Sequence, residues 1–95
     1  MIYLYIRSDY NLQDTPCEVY VELDEERYAN RYLEFLTDGT NNYATENVEN
    51  GIFLPYEKFP EVKEMSDIKE IKEIKEISEK EFKDIWRKIV NDKRN

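Results

Sequence analysis

Apolar residues recur along this chain in three successive rhythms, and each predicts a different kind of element. Ile2 to Ile6 is a continuous apolar run, which predicts a central strand over 2–7. Polar residues from Ser8 to Thr15 then form a long connection that ends at Pro16. From Cys17 to Leu23 the alternation is strict, with Cys17, Val19, Val21 and Leu23 on one face and Glu18, Tyr20 and Glu22 on the other. A period of two predicts a half-buried antiparallel strand over 17–23. Asp24-Glu25-Glu26-Arg27 interrupts it. A third strand is expected over 29–37, with Arg31, Leu33 and Phe35 opposite Tyr32, Glu34 and Leu36. Asp38-Gly39 follows, a hairpin signal because Gly tolerates the positive φ that such turns demand. A fourth strand is expected over 42–46, and Ile52-Phe53-Leu54 reads as a short edge strand before Pro55.

The rhythm then changes. Phe82, Ile85, Trp86 and Ile89 follow the i, i+3, i+4, i+7 rule of an amphipathic helix. Ser78 and Glu81 have the spacing of a capping box, and Ile77 and Phe82 that of a hydrophobic staple across it. Together they predict a helix over 79–91, with Lys88, Lys93 and Arg94 at the end that the helix dipole favours for cations. Between sheet and helix lies Ile68-Lys-Glu-Ile-Lys-Glu-Ile-Lys-Glu-Ile77, a repeat of three. A coiled coil needs 3.5, and four isoleucines three apart spread too widely around a helix to make a seam. Region 60–76 is therefore expected to hold a short helix or an extended segment. It reads either as a solvated helix or linker, or as an insertion that makes a self-association or partner contact. The whole predicts a single α+β domain over 1–95: about four antiparallel strands (2–7, 17–23, 29–37, 42–46) packed against a C-terminal helix, with an acidic, tyrosine-bearing sheet face left open.

Charge sharpens that expectation. Residues 1–60 carry twelve Asp/Glu against four Lys/Arg, whereas residues 61–95 carry ten of each, so the net charge of −8 belongs to the β part. Such a surface attracts basic partners and repels nucleic acid and anionic membrane. The expected partner is thus a basic protein, with no direct nucleic-acid or membrane contact, and the chain itself a monomer or weak homodimer.

Composition removes most catalytic chemistry. The chain has no histidine, one cysteine and two glycines. Histidine is the commonest general base and a principal metal ligand, so the usual zinc sites and the Cys-His and Ser-His-Asp arrangements are excluded. Two glycines cannot build a phosphate-cradling loop. What remains is carboxylate chemistry of the glycosidase kind, for which a domain that hides only ~60–65% of its unfolded surface has little room. No enzyme activity, cofactor or metal is expected. Cys17 reads as a small core residue rather than a nucleophile. A lone cysteine, no apolar run near the ~20 residues of a membrane span, and an N-terminal stretch without the pattern of a signal peptide fit a cytoplasmic protein.

Four segments carry a family resemblance: Asp14-Thr15-Pro16, Glu22-Leu23-Asp24-Glu25-Glu26-Arg27-Tyr28, Arg31 to Gly39, and Ser78-Glu79-Lys80-Glu81-Phe82-Lys83-Asp84-Ile85-Trp86. In these the chain resembles a family of small bacterial proteins of unknown function, without a gap from Tyr3 to Tyr28. Members of that family show a Trp-x-His motif after the first strand, then Asp-x-Pro, then Ser-Glu-Ile-Asp-x-Glu-Arg-Tyr. An Asp-Gly and a Phe-x-x-x-Trp helix follow. Ser8 and Tyr10 stand here in place of the Trp and His, and Asn50-Gly51 in place of a Gly-Gly turn. Proteins that look like this are often encoded beside secreted bacterial toxins, so the resemblance implies an immunity protein.

The expected contact residues are the Asp24, Glu25, Glu26 and Tyr28 loop, the long loop around Tyr10 and Asp14, and the strand face of Glu18, Tyr20 and Glu22. Each has a plainer reading: a turn in which Arg27 pairs with a local carboxylate, aromatic packing on a sheet, a wet strand face. The leading expectation is a non-enzymatic inhibitor, an immunity protein that neutralises a basic, nuclease-type toxin. The alternative is a phage or mobile-element counter-defence protein that mimics nucleic acid, such as an anti-CRISPR or anti-restriction inhibitor.

Overall fold

Five strands run as an antiparallel meander, and a sixth joins its far edge. The computed structural model of the chain describes residues 1–9 and 16–91. The strands are β1 (Ile2–Ser8), β2 (Pro16–Leu23), β3 (Ala29–Leu36), β4 (Asn41–Thr45), β5 (Glu49–Asn50) and β6 (Ile71–Glu76), arranged β5-β4-β3-β2-β1-β6. The helices are α1 (Val62–Met65) and α2 (Glu79–Trp86), and α2 runs on into a π-helical turn, Arg87–Asn91. The α+β class, the four main strands and the C-terminal helical segment match the expectation. The strand count does not: among the described residues the sheet has six strands, against the expected four or so.

The local rules act where the sequence placed them. Gly39 takes φ 91°, and Asp38 Oδ1 accepts from Thr40 N at 2.9 Å and from Thr40 Oγ1 at 2.6 Å, closing the β3–β4 hairpin. Ser78 Oγ accepts from Glu81 N at 3.1 Å, and Ile77 and Phe82 are buried together, as the cap and staple require. Ile52-Phe53-Leu54 is not a strand; the short edge strand is Glu49–Asn50 instead. Pro55 and Pro60 bracket an irregular stretch tied to the β2–β3 turn by its backbone, Phe59 N donating to the Arg27 carbonyl at 2.9 Å.

The largest departure concerns which face the helix covers. The chain leaves β5, crosses one face of the sheet through residues 51–65, adds β6 beside β1, and returns across the other face as α2. Leu54, Phe59, Val62 and Met65 close over Leu4, Ile6, Val19, Val21 and Leu23. On the opposite face Phe82 seats against Tyr3 and Tyr5, and Val90 packs with Leu33 and Tyr43. The helix therefore lies on the tyrosine-bearing face, the one expected to stay open. Both faces of β1 are buried, as a continuous apolar run demands.

The Ile-Lys-Glu repeat is neither a solvated helix nor a linker over most of its length. It is edge strand β6, antiparallel to β1. A repeat of three on a period-two strand throws successive isoleucines onto opposite faces. A bulge restores the phase: Arg7 pairs with Glu73 but Ser8 with Ile71, leaving Lys72 as the extra residue. Ile71 and Ile74 thus both join the Leu4–Val21 core, and Ile77 joins the helix side.

Candidate functional site

The nine residues expected to touch a partner separate into three groups. Tyr10 and Asp14 lie outside the described residues. Glu18, Tyr20 and Glu22 lie on the face that the helix occupies rather than on an open one; Glu22 is buried there, and Glu18 and Tyr20 are half-buried. The Asp24–Tyr28 turn remains at the surface.

Glu22 and Arg31 organise the covered face. Glu22 is 7% exposed, and Arg31 grips it through both oxygens, Nε to Oε1 at 3.0 Å and a terminal nitrogen to Oε2 at 2.8 Å. The guanidinium carbon also sits 5.0 Å from the Phe82 ring centre and 5.3 Å from that of Trp86. Cations over aromatic faces are attracted by the ring quadrupole, so one arginine ties a buried carboxylate to the underside of α2. Burial pushes the Glu22 carboxyl up, but hydrogen bonding and charge attraction from Arg31 outweigh it and hold it below the usual range. The same partner raises Arg31 further. Glu18 accepts from Tyr5 Oη at 2.6 Å; burial, then that bond, raises the Tyr5 phenol. Tyr20 packs between Tyr5 and Phe35, tilted against the first and edge-on to the second, with ring centres 4.9 and 6.1 Å away. Glu22 is thus committed inside the protein, whereas Glu18 and Tyr20 stay half-buried beside the helix.

The β2–β3 turn is held from within, which frees its tips. Asp24 Oδ1 accepts from Glu26 N at 2.9 Å and from Tyr28 N at 3.0 Å, the local capping that makes Asp common in turns. Arg27 takes φ 72° and is buried. It donates through Nε to the Phe59 carbonyl at 3.0 Å and through a terminal nitrogen to the Pro60 carbonyl. Its ion pair is with Glu61, at 3.5 Å. The expected local carboxylate partner is thus replaced by a distant one, and Arg27 pins the crossing segment to the turn. Glu25, Glu26 and Tyr28 point outward, Tyr28 being 42% exposed.

Antiparallel geometry brings a second acidic turn to the same sheet end. Arg31 pairs with Thr45, so Glu46 and Asn47 stand beside Asn30 and Arg31 around a shallow depression. Met1, Asp24, Glu25 and Glu26 border another. A third, apolar one is bordered by Glu46, Glu49, Phe53, Leu54 and Tyr56. Phe53 is 78% and Tyr56 86% exposed, while Leu54 between them packs into the core. Sequence reasoning missed Phe53 and Tyr56 by reading residues 52–54 as a strand. Two prolines within six residues and the lack of any alternation beyond Leu54 were the available signal.

Among the described residues, no group of three or more His, Cys, Asp or Glu side chains could hold a metal ion, and no helix is long and apolar enough to cross a membrane. Cys17 sits at a bulge between β2 and β3, only half-buried, with its thiol 3.4 Å from the Phe35 carbonyl. It is not the core residue that strict alternation predicts.

No curated protein and no solved structure matches the chain. A family model described as Domain of unknown function (DUF6881) matches residues 2–91, and the chain belongs to that family.

Proposed function

We propose that this protein is a non-enzymatic binding module that docks the acidic end of its sheet onto a basic protein, acting as an immunity protein that neutralises a nuclease-type toxin. The observation that carries this reading is the pairing, at one sheet end, of outward carboxylates with exposed aromatic rings. Glu25, Glu26, Glu46 and Glu49 surround or adjoin Tyr28, Phe53 and Tyr56. Large aromatic side chains left in water are characteristic anchors of protein interfaces. Carboxylates around them raise the rate of encounter with a cationic partner and reject anionic ones. A net charge of −8 adds a long-range field of the same sign.

The experiment is capture of a partner from the native host, followed by reconstitution of the purified pair. The expected result is a 1:1 complex with a basic protein whose association rate falls steeply with salt. Glu25→Lys with Glu26→Lys should slow association, and Phe53→Ala with Tyr56→Ala should speed dissociation. A complex indifferent to salt and to all four substitutions overturns the reading. A partner displaced by DNA or RNA assigns the protein to nucleic-acid mimicry instead.

A further inference from the structure

We infer that β6 is a self-recognition edge, and that two copies of this chain pair antiparallel through it about a two-fold axis at Ile74. Among the described residues the sheet ends at β6. The strand runs six residues along that margin, far longer than the two-residue strand at the other edge. An open edge offers unpaired backbone N–H and C=O groups to any strand that fits.

The register follows from the hydrogen bonding already made. Ile77 N donates to Tyr3 O at 2.8 Å, and Leu4, Tyr5, Ile6 and Arg7 stand opposite Glu76, Lys75, Ile74 and Glu73. In an antiparallel ladder, hydrogen-bonded and non-hydrogen-bonded pairs alternate. Residues 73, 75 and 77 therefore direct their backbone groups to β1, and Ile74 and Glu76 direct theirs outward. A second strand can bond only in registers that set outward groups against outward groups. Across Glu73–Glu76 these place the axis at 73, 74, 75 or 76.

Charge selects one of the four. An axis at Glu73 puts Glu73 against its own copy, and an axis at Lys75 puts Lys75 against its own copy. An axis at Glu76 puts Glu76 against its own copy. Only the axis at Ile74 matches opposite charges throughout: Glu73 faces Lys75 of the second copy, Lys72 faces Glu76, and Ile74 meets Ile74. Directly opposed charges of opposite sign stabilise strand pairing and like charges oppose it. Lysines on an edge strand ordinarily prevent such pairing. Here each lysine meets a glutamate, but only when the incoming strand is antiparallel and carries the same repeat. Lys72, Lys75 and Glu76 are exposed, and Glu73 is shared with Arg7 at 3.5 Å while keeping 42% of its side chain in water. The Lys75 ammonium also lies 5.4 Å from the Tyr5 ring centre; a second copy needs to draw on these exposed contacts only, without unfolding anything.

The test is charge exchange read by sedimentation equilibrium, from micromolar to millimolar protein. Lys72→Glu and Glu76→Lys each turn both symmetric Lys72–Glu76 contacts into like-charge contacts, so each variant alone should dimerise at least about tenfold more weakly than the wild type. Mixed together, the two variants face each other with opposite charges, and dimerisation should return to near the wild-type level. The double variant carrying both substitutions should also recover. A wild type that stays monomeric throughout, a dimer indifferent to both substitutions, or a mixture no more associated than its components overturns the proposal.

Discussion

Replacing Arg31 by Met should destabilise the protein by about 3–5 kcal/mol at neutral pH, the penalty of leaving a buried carboxylate without its partner. Glu22 is 7% exposed and both its oxygens are bonded to the guanidinium, so water cannot replace what is lost. Arg31 keeps a quarter of its side chain exposed, which sets the pair itself toward the lower part of that range. The contacts to Phe82 and Trp86 add about 0.5–1 kcal/mol each. Against a total stability of roughly 5–14 kcal/mol for a domain of this length, the loss is large. Urea unfolding followed by tryptophan fluorescence measures it, with a midpoint lowered by about 3 M for a small domain's m-value. The deficit should depend on pH in one direction. Arg31 holds the Glu22 carboxyl below its ordinary 4.5. Its contribution is therefore full above that value and is lost as pH falls through the depressed one. The deficit should thus shrink in acid to the share of the aromatic contacts, which do not titrate. Glu22→Leu combined with Arg31→Leu should recover most of the loss, because a buried ion pair is often replaced by apolar side chains without penalty. A deficit under about 1 kcal/mol, or one unchanged between neutral and acid pH, would falsify the assignment of Arg31 as the tie between sheet and helix.

Other substitutions probe the rest of the architecture. Glu34 is 4% exposed, and burial raises its carboxyl despite a hydrogen bond with Asn42. Its penalty is full above the folded pKa and vanishes below the unfolded one, so Glu34→Gln should stabilise the protein at pH 7 by about 1 kcal/mol. The gain, read by urea titration, should disappear in acid. Phe82→Ala removes a fully buried ring and should lower stability by about 3–5 kcal/mol in the same assay. Gly51→Ala should be worse than Gly39→Ala in thermal unfolding. Both positions have positive φ, but a Cβ at 51 would meet the Asn42 side chain at 2.1 Å, and one at 39 would meet nothing within 4 Å. The expected losses are more than 2 kcal/mol and about 1 kcal/mol respectively. Equal losses would refute the packing described around Asn42.

Period-two alternation, the Asp-Gly hairpin and the capped amphipathic helix were legible because each is a local rule acting on neighbouring residues. The side of the sheet that carries the helix was not. Val19, Val21 and Leu23 look like the sole interior of β2 as long as Tyr20 is counted as polar. Yet Tyr3, Tyr5, Tyr20 and Tyr43 supply an aromatic floor that a helix can cover. The continuous run Ile2–Ile6 carried the correction, since a strand apolar on both sides needs two covers. Glu22 misled for a related reason: a glutamate on a strand reads as wet, and the arginine that lets it be buried lies nine residues later on the next strand. Strand β6 was hidden by a period that fits neither helix nor strand until a bulge at Lys72 re-phases it. The acidic end of the sheet was half visible. The Asp24–Tyr28 segment stood out, whereas Glu46, Phe53 and Tyr56 reach it through a fold-back that no local pattern encodes.

The association rate between this protein and the protein captured with it, measured by stopped flow over a range of salt, tests the proposed docking most directly. The account predicts a steep fall with salt for the wild type and a slower, flatter dependence when Glu25 and Glu26 are replaced by Lys, with Glu18→Gln leaving the rate unchanged. A rate insensitive to salt, or one governed by Glu18 rather than by Glu25 and Glu26, would contradict it.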